Sequence, residues 1–161
     1  MLITALIVAY TIKLSNDGRF SKVLVAIDGS TESMAAVDRA IRIAKNDNAE
    51  LIAFNAVQLP VVGYYNPGVL NSELDKGTTE ADNWFTDIAR RTQEAAGAKV
   101  KTQMVRSFGS PSSEIVGYAE KENVDLIVMG TRGRGKMKKM LLGSTASGVV
   151  MNASCTVMVV R

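Results

Sequence analysis

From Lys22 onward the chain alternates short, continuous apolar runs with longer amphipathic stretches, the rhythm that a parallel sheet with crossover helices demands. The first run, residues 23–27, is too short for a helix and lacks the alternation of a half-exposed strand, so it reads as a strand covered on both faces. Asp28-Gly29-Ser30 breaks that run. Ser30 offers a capping oxygen, and Met34, Val37, Ile41 and Ala44 follow at helical spacing. Further strands are expected over residues 51–57, 100–105, 125–129 and 155–160. Residues 100–105 set Val100, Thr102 and Met104 against Lys101 and Gln103, as an edge strand would. A helix is expected from Glu80, with Trp84, Phe85, Ile88, Ala89 and Ala96 on its inner side and Gly97 at its end. Another opens on Ser110-Pro111 and closes at Asn123, and a short one covers about 144–152. The expected fold class is therefore α/β, a three-layer open sheet of five parallel strands with helices on both faces, Rossmann-like in plan.

Ligands on such sheets lie beyond the carboxyl ends of the strands, where strand order reverses. Two strand ends carry chemistry here: Asp28-Gly29-Ser30 after the first, and Gly130 onward after the fourth. If those strands are neighbours, both loops face one crevice. Residues 58–79 contain Leu59-Pro60 and Asn66-Pro67-Gly68 and read as a long loop, with Tyr64 and Tyr65 forming either a lid or a surface segment. The chain divides into an apolar extension, residues 1–20, and a domain over 21–161. Residues 1–14 are too few for a transmembrane helix and carry no positive charge ahead of the apolar stretch. An accessory strand or arm is the preferred reading, ahead of a peripheral membrane anchor.

Charge and residue usage exclude several classes. A net charge of +3 is too small to argue for a nucleic-acid partner. With no histidine, the Ser-His and Cys-His nucleophiles and His-based zinc sites are absent, and no catalytic or metal-ligating residue is assigned. Cys155 is the one cysteine, so no intrachain disulfide forms, and a reducing, cytoplasmic compartment is expected. Asp125 lies at the opposite end of its strand from the loaded loops and reads as structural.

The segment from Gly130 to Thr145 is the most informative. Glycines let backbone come close to a ligand and expose N–H groups to phosphate oxygens. Gly143, Ser144 and Thr145 then open a helix whose first amides and dipole favour an anion. Arg134, Lys136, Lys138 and Lys139 are read as solvated loop cations rather than ligand contacts. Gly130, Gly135 and Lys136 satisfy most of a P-loop pattern, but Met137 stands where Ser or Thr should hold magnesium, so a Walker-type NTPase is rejected.

Gly130, Gly133, Gly143 and Ser144 at their spacing resemble the ATP-binding signature of the universal stress protein family. The stretches 22–30, 124–130 and 155–160 are similar to that family in order and spacing. The resemblance covers about residues 21–161 and implies the adenine nucleotide alpha hydrolase-like variety of the fold. It implies that Ala26, Ile27 and Asp28 hold adenine and ribose, with the Asp28 carboxylate accepting from a ribose hydroxyl. Ala56 matches an adenine contact that is often valine, and Met129 would pack beside ring and sugar. Gly130, Arg132, Gly133, Gly143, Ser144 and Thr145 match the phosphate cradle. The implied cofactor is ATP, with or without Mg2+, and the implied assembly is a homodimer through the last strand, from Cys155 to Val160.

The function expected is a nucleotide-dependent regulatory or stress-response protein with at most slow ATP hydrolysis, since Asp28 is the one carboxylate in view. A small nucleotide-dependent hydrolase is the enzymatic alternative. It would recruit Glu73, Asp75 or Lys76. A nucleotide-free dimeric interaction module is the other.

Overall fold

A computed structural model describes residues 18–59, 67–135 and 141–161. The elements follow in the order β1 (Lys22–Ala26), α1 (Thr31–Asp47), β2 (Glu50–Gln58), α2 (Pro67–Ala96), β3 (Val100–Ser107), α3 (Pro111–Lys121), β4 (Leu126–Gly130), α4 (Ser144–Asn152) and β5 (Thr156–Val160). They build one five-stranded sheet in the order β3-β2-β1-β4-β5, with every pairing parallel. The order reverses between β1 and β4, which lie side by side with Ala26 opposite Met129. The two loaded loops therefore leave the sheet at one point. β3 is an edge strand as expected, although Thr102 is exposed and Gln103 is half-buried.

The period of two along each strand divides the core between two faces. Leu24, Ala26, Ile52 and Phe54 pack with Ile115 and Ala119 of α3 and Ala146 and Val149 of α4. Val23, Val25, Leu51 and Ala53 pack with Ala36, Val37, Ala40 and Ile41 of α1 and Ile88 of α2. β1 and β4 thus bury both faces, as does most of β2, and that is why their sequences are largely apolar rather than alternating, whereas β3 leaves Lys101, Thr102 and Arg106 exposed.

Two expectations are corrected. Residues 67–79, read as loop, are the first part of a 30-residue helix. Pro67 sits in the first turn, where its missing N–H has no intrahelical acceptor in any case, so the proline starts the helix rather than breaking it. The buried stripe of α2 is Ala81, Ile88 and Thr92, with Trp84 and Phe85 half-buried beside it. Ala89 is exposed, because the inner face follows the 81, 84–85, 88, 92 series of spacings of three and four. Gly97 ends the helix with φ of +61°, as its position predicts. Leu59-Pro60, Tyr64, Tyr65 and the apolar extension are placed wholly or partly outside the described residues.

Asp125 is structural. Its Oδ2 accepts from the backbone N–H groups of Ser21 (2.9 Å) and Lys22 (2.8 Å), tying the start of β1 to the start of β4. Nearby Cys155 is buried. Burial, with the Asp125 charge as a smaller cause, pushes its thiol up to about 11 and leaves it protonated and unreactive at neutral pH. Asp125→Ala should lower the unfolding free energy by about 1–3 kcal/mol, the cost of leaving two backbone donors without their charged acceptor. A urea titration that gave an unchanged midpoint would remove this role.

Candidate functional site

The strand-to-helix turn after β1 is shaped by one carboxylate. Asp28 Oδ1 accepts from the backbone N–H (3.0 Å) and hydroxyl (2.6 Å) of Ser30. Ser30 in turn caps α1, its hydroxyl oxygen accepting from the Ser33 N–H at 3.2 Å. Asp28 therefore holds the cap without being it. Gly29 between them has φ of +77°, and the Trp84 ring occupies the space a side chain there would need. From β2, the buried Asn55 donates through Nδ2 to the Ile27 carbonyl at 2.8 Å, fixing the backbone as it leaves β1.

The second loop closes on the first. The other oxygen of Asp28 accepts from the Arg134 backbone N–H at 3.0 Å. The same oxygen lies where a side chain at Gly133 would stand. Gly130 is glycine for a similar reason: an added Cβ would come within 2.8–2.9 Å of the first turn of α1 at Glu32 and Ser33. Thr131 links the far edge of the sheet to α4, donating to Val160 (2.8 Å) and accepting from the Gly143 N–H (2.7 Å). Gly143 is the N-cap of α4 and supplies no side-chain oxygen to the opening amides of that helix.

Between the loops is a cavity of about 340 Å³. All eleven residues singled out in the sequence line it: Ala26, Ile27, Asp28, Ala56, Met129, Gly130, Arg132, Gly133, Gly143, Ser144 and Thr145. Its lining combines the apolar Ala26, Ile27, Phe54, Ile115 and Met129 with the loop glycines and the hydroxyl residues Ser144 and Thr145. Sequence reasoning missed Phe54, Pro111, Ile115 and Thr131, which also line it. Phe54 was accessible by the period of two from Ala56, whereas Pro111 and Ile115 arrive from α3 through tertiary packing alone. Asn55 had a signal as well, a lone amide in an otherwise apolar strand. Thr131 Oγ1 is buried with no hydrogen-bond partner among the described residues.

Arg134 is exposed, in keeping with its reading as a solvated cation, and it also makes a contact that the sequence did not show. Its guanidinium donates to Glu80 Oε2 at 2.6 Å and lies 5.8 Å from the centre of the Trp84 ring. The helical path of residues 67–79 leads α2 to this loop. A second cavity, about 360 Å³, lies beyond Asp28 and Arg134 and is lined by Lys76, Glu80 and Trp84 among others. Asp75 lines neither cavity. Lys136, Lys138 and Lys139 lie outside the described residues. Among the described residues no three His, Cys, Asp or Glu side chains come together as a metal site, and no helix is long and apolar enough to cross a membrane.

An open parallel sheet with a glycine loop and a helix N-terminus meeting at its switch point defines a doubly wound α/β domain. The sequence profile of the universal stress protein family matches residues 19–161, and the chain belongs to that family. It is 39% identical over 150 residues to universal stress protein MJ0531 of Methanocaldococcus jannaschii, covering 91% of this chain and 85% of that one. The solved universal stress protein UspA from Lactobacillus plantarum is similar in structure, with a TM-score of 0.80 and 29% identity over 89% of this chain and 99% of its own. A universal stress protein solved in complex with cAMP matches with a TM-score of 0.65 and 26% identity, covering 89% of this chain and 98% of that one.

Gly130→Ala should cost about 1–3 kcal/mol in stability, because the methyl meets helix backbone that cannot yield. Gly135→Ala, with nothing within 4 Å of the added atom, serves as the control. Equal denaturation midpoints for the two variants would contradict the close approach of α1 to β4.

Proposed function

We propose that the protein binds an adenine nucleotide, ATP in particular, in the cavity at the β1/β4 switch point and acts as a nucleotide-dependent regulatory protein. One observation carries this reading: a cavity at the switch point lined by apolar side chains together with the loop glycines and the opening residues of α4. A base and sugar fit the apolar side chains, and phosphates fit the glycine loop and the helix N-terminus. The Asp28 carboxylate, though engaged by both loops, has lone pairs left to accept from a ribose hydroxyl. A universal stress protein solved in complex with cAMP supports an adenine nucleotide as the class of ligand. Mg2+ would reach this cavity through the nucleotide's own phosphates, since Asp28 is the one carboxylate lining it.

Hydrolysis is slow in this reading. No second carboxylate or other general base faces the phosphate region among the cavity-lining residues. The protein works in the reducing cytoplasm, in keeping with a single buried thiol. Its assembly is a homodimer. Among the described residues β5 is an edge strand with no neighbour on its outer side, and Met151 on the neighbouring α4 is 81% exposed.

Gly143→Asp tests the phosphate cradle. Gly143 has φ of −71°, and an added Cβ would meet its nearest neighbour at 3.4 Å, so the fold accepts the side chain while the cradle gains a negative charge. Calorimetric titration should show ATP bound by the parent and affinity lowered at least about 50-fold in the variant, given a like charge in a site built for an anion. An ATP affinity equal to that of the parent would exclude the cradle. Sedimentation at micromolar concentration should return twice the chain mass, and a monomer would remove the β5 dimer.

A further inference from the structure

Arg134 stands on the wall between two cavities. Its main chain belongs to the phosphate side, held there by Asp28, and its residue lines both the switch-point cavity and the outer cavity. Its side chain points to α2, where it meets Glu80 and the Trp84 ring. Trp84 is itself wedged against Gly29. One helix therefore touches both loops of the site, through Glu80 on one and Trp84 on the other.

Relative strengths decide what that contact can do. Arg134 and Glu80 side chains are 61% and 48% exposed. An ion pair so open to solvent holds its geometry by at most about five-fold. A guanidinium bonded to a phosphate in a partly closed site is favoured by about ten- to a hundred-fold. The Asp28 bond fixes the loop backbone, so only the side chain needs to change partner. A phosphate chain long enough to reach the wall can take Arg134 from Glu80, and a monophosphate held deeper in the cradle cannot.

Resting on the nucleotide-binding reading above, we propose that Arg134 reads the length of the phosphate chain. Glu80 and Trp84 hold its guanidinium, a terminal phosphate competes for it, and its transfer changes the charge and ring environment on the face of α2. The nucleotide state is thereby displayed on a helix outside the binding cavity, as the loss of one cation from beside Glu80 and Trp84. Reciprocity follows, because anything that occupies Glu80 from outside strengthens the hold on a triphosphate.

Trp84 is the single tryptophan of the chain and reports on this contact directly. The full-length protein is titrated with AMP and with ATP, following calorimetric affinity and tryptophan emission together. ATP should shift the emission while AMP leaves it close to that of the free protein. E80Q should raise the ratio of ATP to AMP affinity about three- to five-fold, since the competitor is weakened. R134Q should lower that ratio about ten-fold and abolish the ATP-specific emission change. The E80Q result keeps the test sharp, because a merely structural ion pair would leave the ratio unmoved or lower it. If ATP and AMP both bind and neither substitution changes their ratio, Arg134 does not read the phosphate chain and the nucleotide site still stands. If the parent binds neither nucleotide, the site reading itself fails, and this inference fails with it.

Discussion

The site depends on the carboxylate of Asp28 and its two sets of bonds across the switch point. One oxygen orders the turn into α1 through Ser30, and the other seizes the backbone of the glycine loop at Arg134. Hydrogen bonds to a charged acceptor contribute about 1.5–3 kcal/mol each, enough to fix two loops that neither β1 nor β4 could orient alone. The glycine at 133 follows from this bridge, because the carboxylate occupies the volume of its side chain. Asp28 is thus both a wall of the cavity and the reason the cavity has a defined shape.

Around that bridge the parallel sheet separates two tasks. On one face, α3 and α4 bury their apolar sides, and the cavity extends under them, walled by Phe54, Ile115 and Met129. On the other, α1 and α2 complete the core and approach the loops from outside. Gly130 allows the first turn of α1 to approach β4 closely, and Trp84 fills the space left by Gly29. Thr131 ties the glycine loop to the end of β5 by one backbone bond and to the start of α4 by another. The loop is consequently held from three directions before any ligand is considered.

Much of this was readable in the order of residues. Apart from the edge strand β3, read from its mixed apolar and polar pattern, the strands were legible because burial makes their sequences largely apolar, and α1 and α3 because Ser30 and Ser110 cap them as their positions predict. Of the eleven cavity residues, Asp28, Gly130, Gly133, Gly143, Ser144 and Thr145 were legible from what their residue types do at those strand ends and spacings, whereas Ala26, Ile27, Ala56, Met129 and Arg132 came only through the resemblance to a family. The N-terminal part of α2 was misread. A proline is a breaker in mid-helix and a starter in the first turn, and local sequence does not say which turn it occupies. The placing of Ala89 failed for a related reason, since a helix that starts earlier and packs by Ala81 and Ile88 sets a different inner face.

The sequence alone determined the fold class, the identity of the loaded strand ends and the chemistry they can offer, because these depend on local periodicity and on what glycine, serine and aspartate can do. Tertiary structure decided which strand ends are neighbours, that Asp28 spends its oxygens on both loops, and that Arg134, still open to solvent, meets Glu80 and Trp84. Those outcomes join residues about a hundred positions apart, such as 28 and 134, or on separate elements, such as 80 and 134. No local propensity encodes such pairings. They exist only once the sheet has set β1 beside β4 and a long helix has been packed across its end.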